Sequence, residues 1–138
     1  MSWLYEIISG RLYDDGNNLV GVGYSGNPAH KNDPSACALK DQGPIPPGSY
    51  TIQAPQDTVT HGPFVLPLQP FSSNEMYGRS GFLMHGDSVV NPGTASEGCV
   101  IQSRDVREQV WASGDRVLSV VAQIADPLAS VNSGGGGE

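Results

Sequence analysis

Positive charge is the scarcest commodity in this chain. Its 138 residues hold seven Lys and Arg against fourteen Asp and Glu, with a net charge of −7. No basic cluster exists, which argues against nucleic acid and anionic membrane surfaces as partners. Only two cysteines, Cys37 and Cys99, are present. Two thiols cannot build a disulfide framework of the kind that staples small secreted domains. No apolar run is long enough to span a bilayer. The opening residues MSWLYEII lack a basic region and include Glu6, so they do not read as a secretory signal. The expectation is a protein made in the cytoplasm without a signal peptide. Charged residues of any sign are only 15% of the chain, while Gly (18) and Pro (11) are abundant. That balance favours one β-rich, turn-rich domain over a helical bundle.

The apolar pattern supports short strands. Strands are expected at Trp3 to Ile8, Arg11 to Tyr13 and Leu19 to Tyr24, forming a β-meander whose second turn is Asp14-Asp15-Gly16-Asn17-Asn18. Ser25 to Gln42 reads as a long polar loop able to wall a cleft. Gly43 to Ile52 is a proline-guided turn feeding a strand. Pro63 to Leu68 is a further strand candidate, in which Pro67 either argues against a strand or marks an edge. Ser103 suits a helix N-cap, Asp105 suits the first turn and Gly114 suits the C-terminal end. Together they place one short helix at about Arg104 to Ala112. Arg116 to Ile124 is the last strand. The expected domain is 1–125, followed by a flexible Gly-rich tail over 126–138.

Chemistry concentrates between Gly78 and Ser103. His85 ends the apolar run Phe82-Leu83-Met84, and Cys99 opens Val100-Ile101. The residues between them, Asp87 to Gly98, read as a loop. Adjacent strands on either side of that loop would bring an imidazole to a thiol, and an imidazole base makes the thiolate nucleophile. The amides of Gly98 and Cys99 are the candidate oxyanion hole. Each residue also has an ordinary reading, Cys99 as a small core residue and His85 as a structural donor.

The supporting groups carry alternatives of their own. Either Asp87 or the Gly86 carbonyl can orient the ring. Ser96 can bond the histidine or substrate, or brace the loop. Arg79 can bind a substrate carboxylate or lie at the surface. His61 with a downstream arginine offers a sortase-like arrangement, while Cys37 lacks a glycine elbow and reads as structural. No Cys/His spacing suggests zinc, so no metal or other cofactor is expected.

His85-Gly86, a loop, then Ser96-Glu97-Gly98-Cys99-Val100 resembles the catalytic motif of L,D-transpeptidases. Gly43 to Ile52 is similar to the proline-rich strand entry of those enzymes. Glu97 stands where that family usually has a second histidine, and the loop is shorter. Both features resemble the divergent branch of L,D-transpeptidase-like effectors delivered by type VI secretion. The resemblance implies an L,D-transpeptidase-like β-sandwich or barrel acting on peptidoglycan tetrapeptide stems. It implies Cys99 as nucleophile, His85 as base then acid, the Gly86 carbonyl as its orienting group and the Gly98 and Cys99 amides around the oxyanion. Asp87 beside the imidazole, and Ser96, Arg79 and Glu97 toward the substrate, are candidates from the residues themselves. The implied reaction removes the terminal D-alanine, or exchanges it, through a Cys99 thioester. The implied setting is the target-cell periplasm, with a secretion-apparatus component and a cognate immunity protein as partners. A binding module that kept the fold without the chemistry, and a sortase-like transpeptidase, are the alternatives.

Overall fold

The computed structural model describes residues 2–124. The expected tail over 126–138 lies outside the described residues. The chain is mainly β, with one short helix. Its strands are β1 (Trp3–Glu6), β2 (Arg11–Tyr13), β3 (Leu19–Val22), β4 (Tyr24–Ser25), β5 (Gly48–Ile52), β6 (Gln56–Thr58), β7 (Gly62–Pro70), β8 (Leu83–His85), β9 (Val100–Ile101) and β10 (Val117–Val121). The helix α1 covers Arg104–Ala112. Hydrogen bonding joins the strands in the order β3-β2-β1-β10-β5-β7-β8-β9-β4, with β6 on β7. The β1/β10 and β8/β9 pairs are parallel and the others antiparallel.

The two ends of that path, β3 and β4, are separated in the chain by Gly23 alone. A sheet whose outer strands are consecutive in sequence must curl back on itself, so the expected barrel-like form arises from connectivity. The single strand expected over Leu19 to Tyr24 is therefore broken in two. Gly23 donates its N–H to Gly10 O at 2.8 Å, and a Cβ on it would collide with the Ile101 carbonyl. Only glycine fits where three backbones meet.

Pro67 was expected to argue against a strand or to mark an edge, yet β7 is an inner strand between β5 and β8. The register explains this. The β5/β7 ladder ends at Ile52↔Leu68, and just beyond it Gln53 N donates to Pro67 O at 2.9 Å. The missing N–H of Pro67 falls just past the last pair of the β5/β7 ladder, so no bond within that ladder is lost.

Alternation then places the chemistry. Phe82 and Met84 are buried in the core, as is Val100. His85, one step past Met84, faces the other way. The parallel register Met84↔Val100 and His85↔Ile101 puts Cys99, just before β9, on the face that carries His85. Ser103 caps α1 by accepting from Val106 N, and Val110 seats the helix on the core.

Candidate active site

A cavity of about 920 Å³ opens over this face, lined by His85, Gly86, Cys99, His61, Arg79 and Arg107 among others. Lys40 and Asp41 also line it, so the end of the long polar loop does wall the cleft. His85 is buried, whereas Cys99 is half-buried and open to the cavity. Cys37 is buried and its thiol donates to Ile45 O at 3.6 Å.

His85 Nδ1 lies 2.9 Å from the Gly86 carbonyl. A carbonyl can only accept, so Nδ1 carries the proton and Nε2 is left with its lone pair. Burial lowers the imidazole pKa, and the charges of His61 and Arg107 lower it further. The Gly86 bond and Asp87 oppose this. Burial pushes the Cys99 thiol up to about 11 despite a hydrogen bond with the Leu83 backbone. Both shifts favour the uncharged pair at neutral pH. The thiol ionises only as its proton leaves for a base.

Asp87, expected to orient the imidazole, is turned to the loop instead. Its carboxylate accepts from Tyr24 Oη at 2.6 Å, Ser88 N at 2.8 Å and Gly93 N at 3.0 Å. Burial alone would raise its pKa, but these bonds outweigh burial and hold it below the usual carboxylate range. The Tyr24 hydroxyl also accepts from Ala95 N at 2.9 Å, and Lys31 Nζ sits 4.4 Å over the Tyr24 ring. Tyr24 therefore ties the loop between His85 and Cys99 to β4.

Ser96 is buried and faces the loop rather than the histidine. Its hydroxyl donates to Cys99 O at 2.6 Å and accepts from Gly26 N and Gly98 N, both at 3.0 Å. The Gly98 amide, expected in the oxyanion hole, is thus already bonded to Ser96. Gly98 sits at φ +140° on the turn into Cys99, a conformation that favours glycine.

Arg79 is neither at the surface nor free for a substrate carboxylate. Its Nη1 donates to the carbonyls of Cys37 (2.6 Å) and Pro44 (2.8 Å), and its Nη2 to Gly43 (2.8 Å) and Glu97 (3.1 Å). It stitches the long loop to the turn before Cys99, and these bonds satisfy a charge that would otherwise be costly to bury. The Glu97 side chain is exposed on the cavity wall.

Two neighbours of His85 were not placed there by the motif. The His61 ring lies 4.6 Å from the His85 ring, centroid to centroid, carried by the turn between β6 and β7. The sortase-like expectation had used His61 in place of His85; the structure sets them side by side. Arg107, from α1, is buried. Its Nε donates to Gln102 O and Ser103 O, and its Nη1 to Pro63 O and Phe64 O. The spacing of Val106 and Val110 marks the buried face of α1, but not that an arginine shares it. A cation on a core-facing stripe is the signal that was available.

Against known families, residues 21–123 match the family model described as Tlde1 domain. No curated protein and no solved structure matches the chain.

Proposed function

The chain belongs to the Tlde1 domain family of type VI secretion L,D-transpeptidase-like effectors, and from that premise we propose that it is a cysteine acyl transferase cutting tetrapeptide stems of peptidoglycan. The observation that carries the reading is the shared face of β8 and β9. It sets His85, with Nε2 unprotonated, and the Cys99 thiol into one cavity.

The thiol proton passes to His85 Nε2 as Sγ attacks the carbonyl of the L-centre of meso-diaminopimelate. The oxyanion of the tetrahedral intermediate points at the Cys99 N–H. On collapse the C–N bond breaks, and the His85 proton goes to the amine of the departing D-alanine. A thioester remains on Cys99. Water, deprotonated by His85, releases a tripeptide stem; a D-amino acid in its place gives exchange. Arg79 and Ser96 hold the Glu97–Cys99 turn, and Glu97 meets the substrate at the rim.

Family membership implies export into target cells, and no described helix is long and apolar enough to cross a membrane. On this reading the protein acts in the target periplasm, engages a secretion-apparatus component, and obliges its producer to hold an immunity protein. Incubation with tetrapeptide muropeptides is expected to yield tripeptides by mass, and Cys99→Ala to abolish them. Tripeptides formed by Cys99→Ala would overturn the mechanism. Sacculus binding with an unchanged muropeptide profile would mark a binding module instead.

A further inference from the structure

Arg107 is a buried cation with one end unused. Its Nε and Nη1 serve four main-chain carbonyls. Among the described residues Nη2 has no protein partner, and the side chain lines the cavity. Nη2 stands against Gly86, where a Cβ on that glycine would come within 2.9 Å of it. His61 packs on the same imidazole, 4.6 Å between ring centroids. Both groups lower the His85 pKa through their charge, and both line the cavity beside it. A guanidinium held rigid by four bonds and left with one donor over a cavity is organised for an anion.

The proposed chemistry says which anion. His85 must protonate the nitrogen of the departing residue. In a C-terminal residue that nitrogen and the free carboxylate share one Cα, so the carboxylate falls beside the base. We propose that Arg107 Nη2 and His61 form a carboxylate subsite that selects stems ending in a free C-terminal carboxylate. This rests on the acyl-transfer reading and names its specificity. An incoming D-amino acid enters by the reverse path, with its carboxylate on the same subsite.

The test needs no variant at first. The full chain is given a tetrapeptide stem with a free terminal carboxylate and the same stem as its terminal amide. A single charge-assisted contact predicts about 10- to 100-fold higher kcat/KM for the acid. Arg107→Lys and His61→Asn should each shrink that ratio, chiefly through KM. Equal rates on acid and amide by the native protein, or an unchanged ratio in both variants, overturns the subsite.

A second measurement does not depend on turnover. N-acetyl-D-alanine, but not its amide, should protect Cys99 from iodoacetamide in the native protein and protect it less in Arg107→Lys. Because Arg107 also clamps four carbonyls, His61→Asn supplies the same comparison if Arg107→Lys does not fold. Protection without turnover of any stem would sustain the subsite and overturn the peptidoglycan reading. Turnover with no protection and no preference for the acid would do the reverse.

Discussion

The Tyr24 hydroxyl and the Asp87 carboxylate meet at 2.6 Å, across 63 positions of sequence. Burial and the carboxylate push the tyrosine up to about 12, so it remains a donor at any physiological pH. Tyr24 Oη and Asp87 Oδ1 also accept from the amides of Ala95 and Gly93. Tyr24→Phe removes an acceptor worth about 1 kcal/mol, so exchange protection at Ala95 should fall about fivefold while the core is unaffected. Unchanged protection at Ala95 would show that the hydroxyl does not hold the loop.

The same carboxylate makes the loop acid-sensitive. Its folded pKa is depressed below the ordinary carboxylate value, so its contribution is complete above about pH 4 and fades as pH falls through the lower folded value. Exchange at Gly93 and Ala95 should accelerate in that acid window, before global unfolding. Asp87→Asn should abolish the pH dependence. A native profile flat down to the unfolding transition would contradict this.

Cys99 should behave as a protonated thiol. Its alkylation by iodoacetamide is expected to be slow near neutrality and to rise with pH toward about 11. A plateau already reached at mildly acid pH would mean a standing thiolate–imidazolium pair and a different starting state for the reaction.

The acid limb of kcat/KM should lie below pH 6.5, because burial keeps His85 neutral to lower pH than a free imidazole. The charge of His61 adds to that depression. Its removal in His61→Asn lets the His85 pKa rise, so the limb should move up toward pH 6.5. A limb that moves down, or stays fixed, would show that the neighbouring ring exerts no such field.

Gly98→Ala should destabilise the fold by about 2 kcal/mol or more. The new Cβ would be forced into φ +140° and against Arg79 Nη2 and Phe82. Arg79 cannot yield cheaply, because four carbonyls hold it. Chemical denaturation reads the change; a midpoint equal to the native one would show that the turn is slack.

Local chemistry decided a good deal in advance. Ser103, Asp105 and Gly114 delimit a helix whose observed span matches the expected one, because caps act within a turn of their own residues. Short apolar runs, Phe82-Leu83-Met84 and Val100-Ile101, marked β8 and β9, and His85-Gly86 with Ser96-Glu97-Gly98-Cys99 pointed to the family. Pairing order, by contrast, depends on which distant strands meet, and nothing local in Gly23 says that it joins the two ends of one sheet. The same holds for where the polar groups turned. Asp87 went to Tyr24, Ser96 to the Cys99 turn and Arg79 to four carbonyls, since a buried polar atom takes the partner that the surrounding fold brings within reach. Only that packing carried His61 and Arg107 to the imidazole, from a hairpin turn and a helix face on either side of it in the chain.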